Sequence, residues 1–191
     1  MKIFFDTEFT GLHKNTTLIS IGLIDENNNC INAEFTDYDE SQCDKWIKEN
    51  VINNLKHKGV RDLHLKGYNP REYKTWIIGN KKEVYDSLYE WISKYDNIEL
   101  VSDCCHYDMV LFIDIFGGAF YIPSNINPVC HDINQDIARY YEFSEKEAFD
   151  FSREEILKNN DITIKGNKHN SLYDAKVIKA IYEIIKSHGL L

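Results

Sequence analysis

The stretch Phe4-Phe5-Asp6-Thr7-Glu8-Phe9-Thr10-Gly11-Leu12 constrains this chain most, because it drives two carboxylates to the end of an apolar run. With Ile3 to Phe5 entering as a strand and extended geometry persisting to Glu8, the period of two turns Asp6 and Glu8 to one face and Thr7 and Phe9 to the other. Two like charges then share a wall. Beside a sheet interior that costs free energy unless a proton or a cation neutralises it, and a hard divalent ion with oxygen ligands is the usual solution. Two acidic residues on a strand end fraying into solvent fit the same letters, so the motif has to find partners elsewhere in the chain.

At 191 residues the chain has the size of one domain, residues 1–191, and is long enough to bury a full core. A hydrophobic fraction of 43% with 13% aromatic residues argues against a disordered or fibrous protein. No apolar run approaches the roughly 18 residues of a membrane span, and the N-terminus lacks a signal-peptide core, so a cytosolic (cytoplasmic) protein is expected. The five cysteines form no C-x-x-C pair, and their odd number fits a reducing compartment. Cys104, Cys105, His106, Cys130 and His131 are zinc-ligand types, at a spacing that matches no ordinary finger or ribbon.

Net charge is −9, which argues against a broad electrostatic grip on a polyanion. It is unevenly spread. Between Asn54 and Lys82 eight Lys or Arg stand against Asp62 and Glu72, a local +6 that leaves −15 for the remainder. Tyr68, Tyr73 and Trp76 lie in the same basic excursion, 54–82, and cations mixed with aromatic rings are what single-stranded nucleic acid meets in its binding grooves. A solvated surface loop with its rings tucked onto the core reads equally well.

Periodicity predicts strands at 18–24, 30–35 and 98–102, and amphipathic helices from Ser41 to about Leu55 and from Asn80 or Lys81 to about Tyr95. A β-β-β-α-α-β order implies a mixed sheet with helices on its faces. Tyr107 to Phe116 is apolar nearly all round, which predicts a buried helix whose only charges, Asp108 and Asp114, each need a partner. Short helices follow at 132–141, 144–149 and 152–157, and a last one runs from Ser171 to Ser187 with Gly189 as its C-cap.

The fragments FDTEF, SIG, SD-x-x-x-YD, FGGAF-x-x-P and HNSLYDA occur in that order through nearly the whole chain. Together they resemble the DEDDh branch of the DnaQ-like 3'-5' exonuclease superfamily, and most closely the RNase AS-like exoribonucleases. The resemblance implies an α/β, RNase H-like fold with a mixed central sheet flanked by helices. It makes Asp6, Glu8, Asp108 and Asp174 the carboxylates that hold two divalent ions, Mg2+ or Mn2+, with His169 as general base. That agrees with two-metal phosphodiester hydrolysis, which needs oxygen ligands around ions about 3.5 to 4 Å apart. A histidine suits the base role because its ordinary pKa lies near neutrality.

Plainer readings exist for several members. Ser171-x-x-Asp174 also fits a helix capping box, His169 a loop histidine, and Asp103 competes with Asp108 for the third carboxylate. Thr7, Phe9 and Leu12 flank the motif and are expected to meet the terminal nucleotide, with Asp103 and Asp132 as further candidate contacts. The implied activity is release of 5'-monophosphates from the 3' end of single-stranded RNA, and the implied assembly is a homodimer. A DNA or short-oligonucleotide exonuclease is the nearest alternative, since the metal chemistry is indifferent to the 2'-OH. A non-catalytic nucleic-acid-binding module on the same fold is a more distant one.

Overall fold

Residues 1–189 are described by a computed structural model of the chain. The apolar runs Lys2–Phe9 (β1) and Leu18–Asp25 (β2) pair antiparallel, and Cys30–Phe35 (β3) continues the meander. Every residue of β2 and β3 is buried, the signature of a sheet covered on both faces. With Leu65–Asn69 (β4), Lys74–Gly79 (β5), Ile98–Ser102 (β6) and Ile126–Asp132 (β7), the mixed sheet has seven strands in the order β4-β5-β3-β2-β1-β6-β7.

Alternation along β1 divides the interior. Ile3 and Phe5 pack with Lys81–Ile92 (α2) and Cys105–Ile115 (α3), whereas Phe4 packs against the helices of the opposite face. Those are Ile133–Tyr141 (α4), Glu145–Asp150 (α5), Arg153–Asn159 (α6) and Ser171–Ser187 (α7). A smaller cluster of Ile19, Tyr38, Ile47 and Val51 seats the six-residue helix Lys45–Asn50 (α1).

Four elements depart from what their periodicity indicates. The basic excursion is no plain loop but contains the β4–β5 hairpin, turned through a left-handed Tyr73 (φ 48°). Strand β7 has no apolar alternation because it lies at the sheet edge with Asn127, Pro128 and Val129 exposed. Helix α1 starts later and is capped by Asp44, whose carboxylate accepts Ile47 N–H at 2.8 Å, while Ser41 sits in a preceding 3-10 turn. Helix α3 is not buried all round, since Val110 is 62% exposed and Asp114 reaches an exposed ion pair with Lys81 at 2.6 Å. Gly189 does take the left-handed C-terminal position of α7 (φ 76°).

Candidate active site

Strand pairing fixes where the carboxylates gather. Asp6 lies opposite Gly22 on β2, and α7 begins directly over that glycine. A Cβ on Gly22 would stand 2.3 Å from Leu172 N, so only the missing side chain lets the first turn of α7 lie on the sheet. Asn170 caps the helix through Tyr173 N–H, and Asp174 follows in its first turn. Asp6, Glu8 and Asp174 therefore bring one carboxylate oxygen each within 4.8 Å of one another, and Asp6, Asp103 and Asp108 form a second such group. Asp6 belongs to both.

Asp108 enters from the start of α3 and is held by Thr7, whose N–H and hydroxyl donate to Oδ1 at 3.2 and 2.5 Å, and by the Ser102 hydroxyl on Oδ2. Burial nevertheless raises its pKa to about 7 against the pull of those hydrogen bonds. Burial, then the Asp103 charge, likewise raises Asp174 to about 7. Asp6 and Glu8 are pushed well above the usual carboxylate range by burial and then by the acidic neighbours. Asp6 Oδ2 is buried without any hydrogen-bond partner. An orphaned buried carboxylate oxygen among three or four others is the donor set a hard divalent cation takes, so these residues fit the implied ions.

His169 sits just before the α7 cap with φ 61°, a left-handed backbone that turns its ring over the cluster, Nδ1 3.9 Å from Glu8 Oε1. Trp46 of α1 meets the ring edge-on with centroids 4.8 Å apart, and Asn54 Nδ2 donates to Lys168 O at 3.1 Å. Burial and the Lys168 charge lower the His169 pKa, which keeps the imidazole neutral and able to accept a proton at pH 7. Around these groups opens a cavity of about 720 Å³, with Phe9, Leu12, Trp46, Phe151 and Arg153 in its walls. That volume suits a nucleotide-sized ligand.

The family model described as the 3'-5' exoribonuclease Rv2179c-like domain matches residues 1–186. The chain belongs to this family. No curated protein matches it by sequence. Among solved structures it shares its fold with the nuclease domain of 3'hExo, a DEDDh family member bound to rAMP: 14% identity, TM-score 0.68, over 99% of this chain and 92% of that one. A 3'-exonuclease in 3'-end specific recognition of histone mRNA stem-loop is similar at 13% identity and TM-score 0.67, over 99% and 82% of the two chains. Pop2p of S. pombe, in a Mg2+ and Mn2+ bound form, matches at 16% identity and TM-score 0.56, over 97% and 82%. The DnaQ-like, RNase H-like architecture expected from the motifs is thus the one found, and the chain carries a 3'-5' exoribonuclease domain.

The remaining candidate residues of this Rv2179c-like domain divide by environment. Thr7 lines the cavity and donates its hydroxyl to Asp108, so it also orients a carboxylate. Phe9 stacks on Tyr107 at 5.5 Å and lines the cavity, and Leu12, 74% exposed, stands at its rim. Asp103 is paired with Arg153 Nε at 3.2 Å. Asp132 is not part of the cavity wall, because it caps α4 by accepting Asn134 N–H at 2.9 Å. Trp46, an aromatic residue of α1, is 52% exposed at the cavity. Its neighbour Ile47 takes the buried face, and adjacent helical positions diverge by about 100°, a signal the letters did contain.

The cysteine-histidine group forms no zinc site among the described residues. Cys105 and Cys130 touch at 3.0 Å, but His131 is engaged by Asp136 and Glu99, and the metal-competent groupings are the acidic ones alone.

Proposed function

We propose that the domain hydrolyses single-stranded RNA from its 3' end to nucleoside 5'-monophosphates, with two divalent cations, Mg2+ or Mn2+, held by Asp6, Glu8, Asp108 and Asp174. The observation that carries this reading is Asp6, common to both carboxylate groups and keeping an unpartnered buried oxygen. Such ions, when bound, place positive charge on the phosphoryl oxygens and lower the pKa of water. The protein's own contribution is positional. Thr7 and Ser102 hold Asp108 in one orientation, and the Gly22 contact sets Asp174 over Asp6. His169, kept neutral by burial, accepts the proton of the attacking water, and Trp46 fixes the plane of its ring. Pop2p with Mg2+ and Mn2+ and 3'hExo with rAMP, on the same fold, support the choice of ions and of a nucleotide ligand.

A cytosolic setting and the implied homodimer stand with this reading. No helix among the described residues is long and apolar enough to cross a membrane. Light scattering would give twice the 22.5 kDa chain mass for the dimer. The deciding experiment incubates 5'-labelled RNA and DNA, with free or blocked 3' ends, in Mg2+, Mn2+ or EDTA. Stepwise shortening of free-ended RNA, abolished by EDTA and by Asp6→Ala, is expected. Cleavage of blocked ends, or full activity in Asp6→Ala, would refute the mechanism.

A further inference from the structure

Behind the loop that carries His169 lies a second, smaller cavity of about 220 Å³, whose lining includes Asn54, Lys74, Lys165, Asn167, Asn170 and Lys176. Its charge is unlike that of the molecule. No carboxylate lines it, in a chain of net charge −9. Among the described residues Lys74, Lys165 and Lys176 take part in no ion pair. Lys74 is half-buried, and its burial together with the ammonium groups of Lys56 and Lys176 pushes its pKa down, with Glu72 opposing but not overcoming them. Lysines that line one cavity, Lys74 half-buried and Lys165 exposed, and that form no ion pair in the chain are arranged for an anion from outside it.

The position of the cavity follows from α7. Side chains two residues apart on a helix diverge by about 200°. Asp174 thus joins the carboxylates, while Lys176 turns to the other side and lines the smaller cavity. Lys74 projects from the same sheet face as Asp6, because Asp6, Gly22, Asn32 and Trp76 lie level across the pairings and Lys74 is two residues from Trp76. Asn54 lines the cavity and also ties down Lys168 O, so one loop separates the two sites.

We propose that this cavity binds phosphate, either a phosphodiester of the substrate strand upstream of its 3' end or a small free phosphate. Only the first source rests on the exoribonuclease reading. Three lysines lining one space match a multi-oxygen anion, and the asparagines of the same wall carry amide donors. The volume admits such a group with a few waters of about 30 Å³ each, and it is too small for a whole nucleotide.

The test compares the wild type with the pair Lys74→Gln, Lys176→Gln, and with a control pair Lys45→Gln, Lys146→Gln that removes the same charge from exposed sites. Inorganic phosphate is titrated into metal-free protein by calorimetry, and KM is measured in Mg2+ on a dinucleotide and on a ten-nucleotide RNA. Saturable phosphate binding that weakens by about tenfold or more, one charge-assisted contact or better, is expected in the cavity pair only. A matching rise in KM for the longer RNA and not the dinucleotide identifies the strand as the source. Unchanged KM for both identifies a free phosphate. The proposal is overturned if the cavity pair binds phosphate and long RNA as the wild type does, or if the control pair loses as much. Should the chain cleave no RNA at all, the calorimetric arm still decides the site.

Discussion

Asp108 accepts three hydrogen bonds and still has its pKa raised to about 7, which measures how far burial outweighs donors in this cluster. Asp6, Glu8 and Asp174 are raised as well. A carboxylate whose folded pKa exceeds its unfolded value stabilises the metal-free protein fully below about pH 4, and that stabilisation is lost as pH rises through the folded values near 7. Cations that replace the missing protons then gain affinity with pH. We therefore expect the rise in Tm on adding Mg2+ or Mn2+ to be larger at pH 8 than at pH 5.5, and to vanish in Asp6→Asn. Equal shifts at both pH values would contradict the linkage. His169→Ala is expected to leave that metal-induced shift in place while lowering kcat by about 10²- to 10⁴-fold. At this scale the sequence was informative where spacing has one geometric meaning: D-x-E on a strand put Asp6 and Glu8 together. It was less so where one letter serves two purposes. Asp132 reads as a substrate contact and is a helix cap in the fold, and Thr7, a cavity-lining residue, also holds Asp108, which the letters do not show.

Elements carry the site through close approach. Gly22→Ala places a methyl group against the backbone of Ser171 and Leu172, which cannot yield as a side-chain tip would, so α7 must lift. A stability loss of roughly 1–3 kcal/mol, the usual overpacking cost, is expected in urea unfolding. Lifted with α7 would be Asp174 and the His169 loop, so kcat should fall further than folding alone explains when measured below the unfolding transition. The regular elements were legible because their burial is one-sided or complete: β1 to β3, α2 and α7 all show their period in the letters. Strands β4 and β7 were not, for a common physical reason. Both are sheet edges, β4 exposed along most of its length and β7 at Asn127 to Val129, and their order is imposed by β5 and β6 rather than by their own apolar content.

For the whole molecule, half of the eight cations of residues 54–82 are engaged in ion pairs within the chain. Lys66 pairs with Glu90, Lys81 with Asp114, Lys82 with Asp86, and Arg61 with Glu40 and the carbonyls of Thr36 and Tyr38. The local +6 in the sequence therefore overstated the charge available to a nucleic acid. Replacing Lys66, Lys81 and Lys82 together by Gln should leave RNA affinity within about twofold and its salt dependence nearly unchanged, since exposed pairs contribute little and touch no phosphate. A steep loss of affinity would return the hairpin to the RNA-binding surface. Another property follows from the order in which the chain supplies its carboxylates: β1 gives two, α3 a third, and α7 the last. A nascent chain that has not yet extruded α7 carries three of these carboxylates and no Asp174, so the acidic cluster is completed only when that helix is made.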